Sequence, residues 1–281
     1  MASIKDKLLA IGAALAYPQV RLKPAITKEH FSGKWVLVTG ASHGIGRALT
    51  EKLIDADANV FLIARSEADL QYLCDRAKQR GNRADYCAID LRDREKLELL
   101  CQKLKETLPQ LDYFFCNAGK SIHRKITDAL DRLHDYDRTI DLNYRALVAL
   151  SLALLPTLKA SKGSIVYSSS VSTRYPMAPG WSAYHASKCA ANAWCETANS
   201  EFAPLGIRVQ IAYLPLVHTA MSDVNERYRQ LPAYYPADAA NILLRLAIRK
   251  GKRYQPWWAK LSAPIAYLFA PIVHLFYKRM V

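Results

Sequence analysis

The stretch TGASHGIG, Thr39 to Gly46, decides the fold of this 281-residue chain. It follows the apolar run WVLVTG and opens a helical pattern that continues to Ala56. In that setting Gly40 permits a tight turn, Gly44 lets the backbone approach a pyrophosphate, and Gly46 lets the helix pack closely on the strand. The free amides at the helix start would face the phosphates. The stretch predicts a dinucleotide-binding loop; the alternative is an ordinary strand-to-helix turn with three glycines.

Short β-rich runs alternate with longer helical periods from about Lys34 onward. The strand runs are WVLVTG (35–40), NVFLIA (59–64), ADYCAID (84–90), LDYFFCN (111–117), GSIVYSS (163–169) and IRVQIAYL (207–214). Helical segments between them include Ile45–Ala56, Glu67–Arg80 and Arg92–Leu108. Near-continuous apolar strands separated by helices indicate a parallel sheet covered on both faces. The predicted fold class is therefore α/β, a Rossmann-like doubly wound parallel β-sheet in a single domain, with basic apolar terminal segments.

The end of the second strand, IARSE, indicates which dinucleotide binds. A cofactor with a free ribose 2′-hydroxyl usually meets an acidic residue at this point. Here Ala64 stands at that position and Arg65 follows it. A guanidinium suits a 2′-phosphate through charge-assisted hydrogen bonds, and His43 in the glycine loop would add a donor. We therefore predict NADP(H) rather than NAD(H); for Arg65 the alternative is a solvated surface arginine.

The stretch YHASK holds Tyr184 and Lys188 four residues apart before an apolar, Ala-rich run. On a helix, residues i and i+4 lie on the same face. A free phenol has a pKa of about 10 and is a poor acid at neutral pH, but a nearby ammonium favours the phenolate and lowers that pKa. The spacing is typical either of a tuned proton donor or of an ordinary helix surface, and it leaves both interpretations open.

Taken together, these motifs resemble the short-chain dehydrogenase/reductase family, and the resemblance covers roughly Lys34 to Pro256. The matching motifs are, in order, TGASHGIG, Asp90 after the third strand, CNAG (116–119), Asn143 in DLNY, the serines 168–170, YHASK and PLVHT (215–219). Several motifs in the correct order and spacing are far more specific than any one of them. The resemblance implies an enzyme with the fold and cofactor class predicted above.

The resemblance also implies a role for each site residue. Tyr184 is the general acid that protonates a carbonyl oxygen as hydride arrives from the nicotinamide, and Lys188 holds the nicotinamide ribose and lowers the phenol pKa. A serine hydrogen-bonds the carbonyl; we assign it to Ser170, with Ser169 as the alternative. Asn143 holds a water that relays protons through the lysine. The implied cofactor contacts are Gly40, Ser42, His43, Gly44, Ile45, Gly46, Arg65, Asp90, Leu91, Asn117, Ala118, Gly119, Tyr184, Lys188, Pro215, Val217 and Thr219.

Two positions depart from the family pattern. Cys116 stands where a second asparagine is usual, a change that a packing position tolerates. Leu216 follows Pro215 where the family usually has glycine, which stiffens this loop and is expected to narrow the pocket near the nicotinamide.

The bulk composition limits the possible partners and compartments. With 51% hydrophobic and 23% charged residues the chain is an ordinary globular protein, but its net charge of +14 suggests an anionic partner. The six cysteines show no CxxC pair and no metal-ligand spacing, so we expect reduced core cysteines, a reducing compartment and no metal site. The apolar stretch from Leu8 to Pro18 resembles a signal-peptide core, but its mixed leader of Lys5, Asp6 and Lys7 favours an amphipathic helix or interfacial anchor.

The C-terminal segment has an unusual distribution of charged and apolar residues. Residues 239–281 contain no acidic residue, and basic residues flank the uncharged stretch from Leu261 to Tyr277. Trp257 and Trp258 precede this stretch, while Pro264 and Pro271 interrupt it. Such a pattern is typical of contact with an anionic membrane surface by a partly inserted, broken helix; the alternative is a tail packed on the domain or on a second subunit. The predicted organisation is an N-terminal amphipathic segment (1–30), a reductase domain (31–256) and a tail (257–281).

These observations combine into one leading hypothesis, an NADPH-dependent carbonyl reductase acting on a lipophilic ketone or aldehyde, membrane-associated on the cytoplasmic face. The loop from Thr219 to Tyr235 contributes Met221, Tyr228, Leu231, Tyr234 and Tyr235 to the expected pocket. NADP-dependent oxidation of a sterol-, retinoid- or small-alcohol-like substrate is the alternative reaction, and a non-catalytic NADPH sensor or membrane scaffold is a more distant one. No nucleic-acid motif supports nucleic-acid binding. The resemblance further implies a homodimer or homotetramer built on the helices that contain residues 146–158 and 184–203.

Overall fold

The computed structural model describes residues 12–108 and 110–279, apart from the side chain of Arg227. Its centre is a seven-stranded, wholly parallel sheet with the order β3-β2-β1-β4-β5-β6-β7. The strands are β1 (Trp35–Thr39), β2 (Asn59–Ala64), β3 (Ala84–Ala88), β4 (Tyr113–Cys116), β5 (Ser164–Ser170), β6 (Arg208–Leu214) and β7 (Arg253–Tyr254). The six predicted strands are confirmed, and the two-residue β7 was not predicted because it is too short to show a pattern.

Helices cover both faces of the sheet. In chain order they are α1 (Pro24–Phe31), α2 (Gly44–Asp55), α3 (Glu67–Gln79), α4 (Arg94–Thr107), α5 (Leu133–Ile140), α6 (Ala146–Ala153), α7 (Leu155–Ser161), α8 (Ser182–Phe202), α9 (Glu226–Arg229), α10 (Pro236–Arg249), α11 (Trp257–Leu268) and α12 (Ala270–Lys278). Residues 12–16 are also helical. The predicted leucine-rich segment 146–158 is two helices, because the backbone turns at Leu154 between α6 and α7.

Two apolar layers hold the sheet between the helices. Alternate residues of one strand belong to different layers: Val36 and Val38 pack with α2, α3 and α10, while Leu37 packs with α4, α6 and α8. Because both faces are buried, most strand residues are apolar, which is why the strands appear as hydrophobic runs in the sequence. The sheet order reverses between β1 and β4, and such a switch point opens a crevice at the carboxyl ends of the strands.

The N-terminal segment lies partly outside the described residues, because residues 1–11 are not among them. The part that is described packs on the domain. The Val20 amide donates to Asp238 Oδ1 at 3.2 Å, and Asn241 Nδ2 donates to the Val20 carbonyl at 2.6 Å. This segment therefore runs along α10.

All six cysteines are free thiols. Cys116 is fully buried at the end of β4, where burial raises the pKa of its thiol to about 12. It therefore stays protonated and behaves as a small apolar residue, in agreement with the packing role that its departure from the family pattern suggested.

Candidate active site

The glycine loop leaves its backbone open at the switch point. Gly40 and Gly44 have φ angles of +68° and +54°, in the left-handed region that favours glycine. A Cβ on Gly46 would lie 2.0 Å from the carbonyl oxygen of Gly40, so only glycine fits there. α2 begins at Gly44 without a side-chain cap, which leaves its first amides free for an anion. The loop fits the phosphates of a dinucleotide.

Charged side chains gather where β2 ends. Arg65 is exposed and forms no side-chain ion pair within the described part of the chain. Beside it, Asp69 accepts from Arg47 Nη1 at 3.2 Å and lies 3.7 Å from His43 Nε2. Arg47 and Asp69 were not predicted to lie beside Arg65, because both are helix residues whose proximity depends on how α2 and α3 pack. Arg65 therefore remains available to an anionic ligand, whereas Arg47 is already held by a carboxylate.

The predicted contacts further along the sheet edge also converge. Asp90 is held by Arg92 through bonds of 2.9 Å to Nε and 2.6 Å to Nη2, and these bonds, with a smaller contribution from the charge of Arg65, lower the pKa of the Asp90 carboxyl. Asn117 Oδ1 accepts from Ser168 Oγ at 3.2 Å, and the Asn117 amide donates to the hydroxyl of Thr39 at 3.1 Å. Residues from β1, β3, β4 and β5 thus meet at one edge.

Lys188 is buried in α8 with a charged side chain. It is 5% exposed, its Nζ donates to the Ser168 carbonyl at 2.8 Å, and it lies 4.7 Å from the centre of the Tyr167 ring. Burial lowers the pKa of Lys188 to about 8. A Cβ on Gly119 would lie 3.4 Å from Nζ, so glycine keeps the approach to the ammonium open.

The pKa of the Tyr184 phenol differs from the predicted one. The residue is half-buried, and removal of solvent around the phenol raises its pKa above the ordinary value, while a hydrogen bond from Ser170 acts in the opposite direction. Lys188 is not among the groups that shift this pKa, so the predicted lowering by the lysine is wrong for the protein without cofactor. The reason is geometric, because the ammonium is directed to the Ser168 carbonyl instead.

The three serines at the end of β5 have different partners. Ser168 donates to Asn117, and Ser169 donates to Asn192 Oδ1 at 2.6 Å in the protein interior. Ser170 is the one that contacts the Tyr184 hydroxyl. The geometry therefore favours Ser170 over Ser169 as the residue that meets a carbonyl oxygen, and its catalytic role stays a prediction.

Asn143 lies in a π-helical turn, Asp141–Arg145, between α5 and α6. Such turns are frequent at functional sites. Its side chain is engaged on both sides: Oδ1 accepts from the Lys120 amide at 2.8 Å, while Nδ2 donates to the Lys120 carbonyl at 2.9 Å and to Ser187 Oγ at 2.8 Å. Asn143 thus fixes the segment after β4 against α8, and the predicted water-holding role stays a prediction.

Aromatic rings line one side of Tyr184. Trp181 lies edge-on to Tyr184 at 5.9 Å, stacks on Tyr228 at 6.0 Å and contacts His123 at 4.7 Å between ring centres. Tyr228 was predicted to line the pocket, while Trp181, just before α8, and His123, from the segment after β4, were not predicted. Tyr234, also predicted there, is 3% exposed and packs on Tyr17 away from the catalytic residues.

The loop after β6 closes over the glycine loop. A Cβ on Gly44 would lie 3.2 Å from the methyl group of Thr219, so the two loops are in contact. Val217 forms a bridge with Tyr234, which holds the loop beside β6. The His218 ring lies 3.3 Å from Asp223 Oδ1, so this histidine is tied within its own loop. Of the predicted contacts in this loop, Thr219 therefore lies against the glycine loop, and the cofactor contacts of Pro215, Val217 and Thr219 stay predictions.

The C-terminal helices α11 and α12, called the terminal helix pair below, are hydrogen-bonded to two separate segments of the chain. The indoles of Trp257 and Trp258 donate to the carbonyls of Leu15 and Ala16 at 2.9 and 3.0 Å. The hydroxyls of Tyr267 and Tyr277 donate to the carbonyls of Tyr175 and Pro176, at 3.2 and 3.3 Å. Tyr175 follows Ser170 closely in sequence, so the pair is fastened to a segment that leads out of the active site.

Despite these bonds, the terminal helix pair keeps a large apolar surface in solvent. Its exposed residues include Leu261, Ile265, Leu268, Phe269, Ile272, Leu275 and Phe276. Among the described residues no single helix meets the length and composition of a bilayer-crossing segment; together the two do, but they are bent by 82°. The prediction that Pro264 interrupts the segment is wrong, because α11 continues through it, and the break occurs at Phe269 ahead of Pro271.

Comparisons with known proteins agree with this architecture. Residues 34–229 match the family model described as short chain dehydrogenase. A fatty acyl-CoA reductase of Acinetobacter baylyi is 34% identical over 251 residues, 89% of this chain and 84% of that protein. A fatty acyl-CoA reductase of Mycobacterium tuberculosis is 33% identical over 241 residues, 85% of this chain and 82% of that protein.

Solved structures give the same result. A short-chain dehydrogenase from Streptomyces avermitilis superposes with a TM-score of 0.72 at 25% identity, covering 86% of this chain and 96% of its own. A metagenomic short-chain oxidoreductase in complex with NADP superposes with a TM-score of 0.67 at 25% identity, covering 80% of this chain and 96% of its own.

Proposed function

The chain belongs to the short-chain dehydrogenase family, and on that premise we propose that it is an NADPH-dependent reductase of the carbonyl group of long-chain acyl substrates, working at a membrane surface. The observation that carries this proposal is the conjunction of a complete catalytic edge, around Tyr184 and Lys188, with an exposed apolar helix pair fastened beside it.

The preference for NADPH rests on the end of β2. Ala64 offers no carboxylate to a ribose 2′-hydroxyl, and Arg65 is exposed without an ion pair among the described residues. A planar guanidinium binds a phosphate through paired, charge-assisted hydrogen bonds. The glycine loop would hold the pyrophosphate, and Lys188 and Asn117 lie where the nicotinamide half would extend. The NADP complex of the metagenomic relative supports this cofactor.

Each catalytic residue has a separate role in the proposed reaction. When bound, the cofactor supplies the hydride that adds to the carbonyl carbon. Tyr184 donates its proton to the carbonyl oxygen, and Ser170 donates a hydrogen bond to that same oxygen as negative charge develops on it. Burial raises the phenol pKa in the free protein, so the tyrosine holds at neutral pH the proton that it donates in the reaction. Lys188 Nζ, which donates to the Ser168 carbonyl in the free protein, would hold the nicotinamide ribose when the cofactor is bound.

The substrate class rests on the site walls and on the relatives. Two relatives that this chain covers over more than four-fifths of their length are fatty acyl-CoA reductases, which makes a fatty acyl thioester the first candidate. Trp181 and Tyr228 offer aromatic faces beside Tyr184, which suit an acyl chain better than a sugar or a small acid. In the reaction the thioester carbonyl would take up hydride and a proton, and loss of the CoA thiol would leave the aldehyde.

Membrane contact rests on the terminal helix pair. Residues 239–281 carry eight basic and no acidic residues, so they contribute eight of the fourteen net positive charges. Lys260, Lys278 and Arg279 are exposed on or next to helices whose other exposed residues are apolar. Apolar side chains that enter the acyl region, with cations at the level of the lipid phosphates, are typical of interfacial helices. We place this contact on the cytoplasmic face of the membrane, in keeping with the free thiols.

Self-association remains part of the proposal. Leu152 of α6 is 56% exposed and Leu99 of α4 is 64% exposed, so these neighbouring helices present apolar side chains to solvent. A dimer or tetramer that packs these helices together would cover both residues. The measurement is the mass of the protein in mild detergent by sedimentation, with Leu152→Glu as the variant expected to dissociate the assembly.

The test is NADPH oxidation by purified protein in mild detergent, with acyl-CoA substrates of 4 to 18 carbons and aldehydes of the same lengths. We expect turnover to rise with chain length, with NADH a poor substitute, and we expect Tyr184→Phe to be inactive while still binding NADPH. Turnover confined to short polar carbonyls would overturn the lipid substrate while leaving the reductase chemistry intact.

A further inference from the structure

A chain of polar contacts runs from Tyr184 into the protein interior. The Ser170 hydroxyl is the hydrogen-bonding group that acts to lower the pKa of the Tyr184 phenol, and Ser170 Oγ lies 2.8 Å from Ser172 Oγ. Ser172 Oγ in turn lies 3.1 Å from Nε2 of His185. The chain begins and ends on adjacent residues of α8, so it forms a closed loop between α8 and the turn that follows β5. None of the roles given above uses Ser172 or His185.

His185 is buried and neutral. It is 4% exposed, and burial lowers the pKa of its imidazole below the ordinary value. Its Nδ1 is buried and has no hydrogen-bond partner among the described residues. A neutral imidazole carries one proton, so one ring nitrogen donates and the other accepts. A proton on Nδ1 would leave a buried donor unsatisfied, whereas a proton on Nε2 has Ser172 Oγ as its acceptor.

The position of that proton decides which way the serines point. Ser170 Oγ already accepts from the Ser172 amide at 3.2 Å. If Nε2 donates to Ser172, the Ser172 hydroxyl proton is free to donate to Ser170. Both lone pairs of Ser170 are then occupied, and its own proton must point towards the phenol and the substrate oxygen. If Nε2 instead accepted from Ser172, the Ser170 proton would be used on Ser172 and would be lost to the substrate.

We propose that His185 is a positioning residue that, through Ser172, holds Ser170 as a hydrogen-bond donor to the reacting carbonyl oxygen. It touches neither substrate nor cofactor and acts only by fixing the direction of two hydroxyl groups. A preset donor is worth more in the transition state than one that must rotate into place as charge develops. The proposal explains why a buried histidine directly follows the catalytic tyrosine in YHASK. It rests on the proposed role of Ser170 and is independent of which carbonyl compound is the natural substrate.

The kinetic test compares His185→Phe, Ser172→Ala and Ser170→Ala, alone and in pairs, with NADPH and decanal. Removing an oxyanion donor typically lowers kcat by roughly 100-fold, which we expect for Ser170→Ala, and we expect roughly 10-fold for the other two with KM nearly unchanged. Because all three act through one hydroxyl, His185→Phe should have no further effect once Ser172 or Ser170 is Ala. His185→Gln keeps an amide donor near the position of Nε2 and should recover most of the loss. Additive losses in the double variants, or no recovery in His185→Gln, would overturn the proposal.

A second measurement needs no turnover. The protein has seven histidines, and the nitrogen shifts of labelled imidazoles distinguish the two neutral tautomers. The signal missing from His185→Gln identifies His185, and the expected result is a proton on Nε2 at neutral pH. A proton on Nδ1 would overturn the proposal even in an active enzyme. If wild type reduces neither decanal nor any acyl-CoA, the proposed function fails, while the tautomer still decides the role of His185.

Discussion

The catalytic edge of the sheet and the terminal helix pair place charged and apolar side chains in opposite ways. At the catalytic edge Lys188, a cation, is 5% exposed and hydrogen-bonded to a carbonyl. On the helix pair Leu268 is 76% exposed and Ile272 63% exposed, although both are apolar. Burying an ammonium and exposing a leucine are each unfavourable in water. The proposed function accounts for both arrangements, with a bound cofactor beside the ammonium and a membrane surface against the helix pair.

The comparison teaches that the proposed reaction and the proposed membrane contact depend on separate parts of this molecule. The predicted chemistry lies at the strand ends and on α8, within the segment 34–229 that matches the family, whereas the proposed membrane contact belongs to helices outside that segment. The bonds from Tyr267 and Tyr277 to residues 175 and 176 connect the two regions. We infer that the core determines the reaction and that the terminal helix pair determines which carbonyl compounds reach it.

The largest effect is expected from Tyr184→Phe. This change removes only the hydroxyl, so the aromatic contact with Trp181 is kept. General acid catalysis typically contributes 10²–10⁴-fold, and we expect a fall in kcat of about that size. NADPH affinity, followed by the fluorescence of the bound cofactor, should stay within a small factor of wild type. Full turnover in the variant would remove Tyr184 from the chemistry and leave the catalytic edge without its acid.

Arg65→Ala should weaken NADPH without affecting NADH. Loss of a charge-assisted phosphate contact of about 1.5–3 kcal/mol corresponds to a roughly 10- to 100-fold rise in the KM for NADPH. The matched control is Arg83→Ala. Arg83 is an exposed arginine at the amino end of β3, whereas Arg65 follows the carboxyl end of β2, so this change should alter the KM for neither NADPH nor NADH. Equal losses with both cofactors would show that Arg65 supports the fold rather than the 2′-phosphate.

Lys188→Met should reveal how much burial of the ammonium lowers the free energy of unfolding. The pKa is about 8 in the folded protein, whereas an unfolded lysine titrates at about 10.4. Below pH 8 both states hold the proton and the burial penalty is fully present. Between these two values the unfolded state binds more protons, so wild-type stability rises with pH relative to a variant without the amine. From pH 7 to 9.5 we expect the free energy of unfolding of the wild type, measured in urea, to rise by about 2 kcal/mol relative to that of the variant. A constant difference would mean that the lysine is not buried as a cation.

The smallest effect is expected on the helix pair. Ile272→Ala with Phe276→Ala removes two of the exposed apolar side chains and should weaken binding to anionic vesicles roughly 10-fold, as expected for partial loss of apolar burial. Leu130→Ala is the matched control, because Leu130 is 87% exposed on a loop far from the helix pair in sequence. Equal vesicle binding by the helix-pair variant and the control would assign the apolar surface to another protein or to a second copy of this chain.

The sequence predicted the fold and much of the catalytic edge because both depend on local chemistry. A glycine such as Gly46 is required by a 2.0 Å approach that any side chain would block, and a strand buried on both faces must be apolar. The fold class and the family are confirmed. The NADP(H) prediction agrees with the NADP complex of a structural relative, and the site roles stay predictions.

Other features depend on tertiary contacts and leave no local pattern. Ser172 and His185 meet only because the turn after β5 packs on α8, and the Trp181–Tyr228 stack joins the start of α8 to α9. The raised pKa of Tyr184 was missed for the same reason, since it results from burial of the phenol in the folded protein. The bonds from the C-terminal tryptophans to the N-terminal segment join residues more than two hundred positions apart.

The most direct test of the separation between core and helix pair is a single matrix of NADPH oxidation rates. Wild type and the Ile272→Ala, Phe276→Ala variant are compared on 4-carbon and 16-carbon acyl-CoA, each with and without anionic vesicles. We predict equal rates on the short substrate in every condition, and a vesicle-dependent gain on the long substrate that only the wild type shows. Equal loss on both substrates would contradict the account, because the helix pair would then be part of the catalytic core rather than its access to lipid.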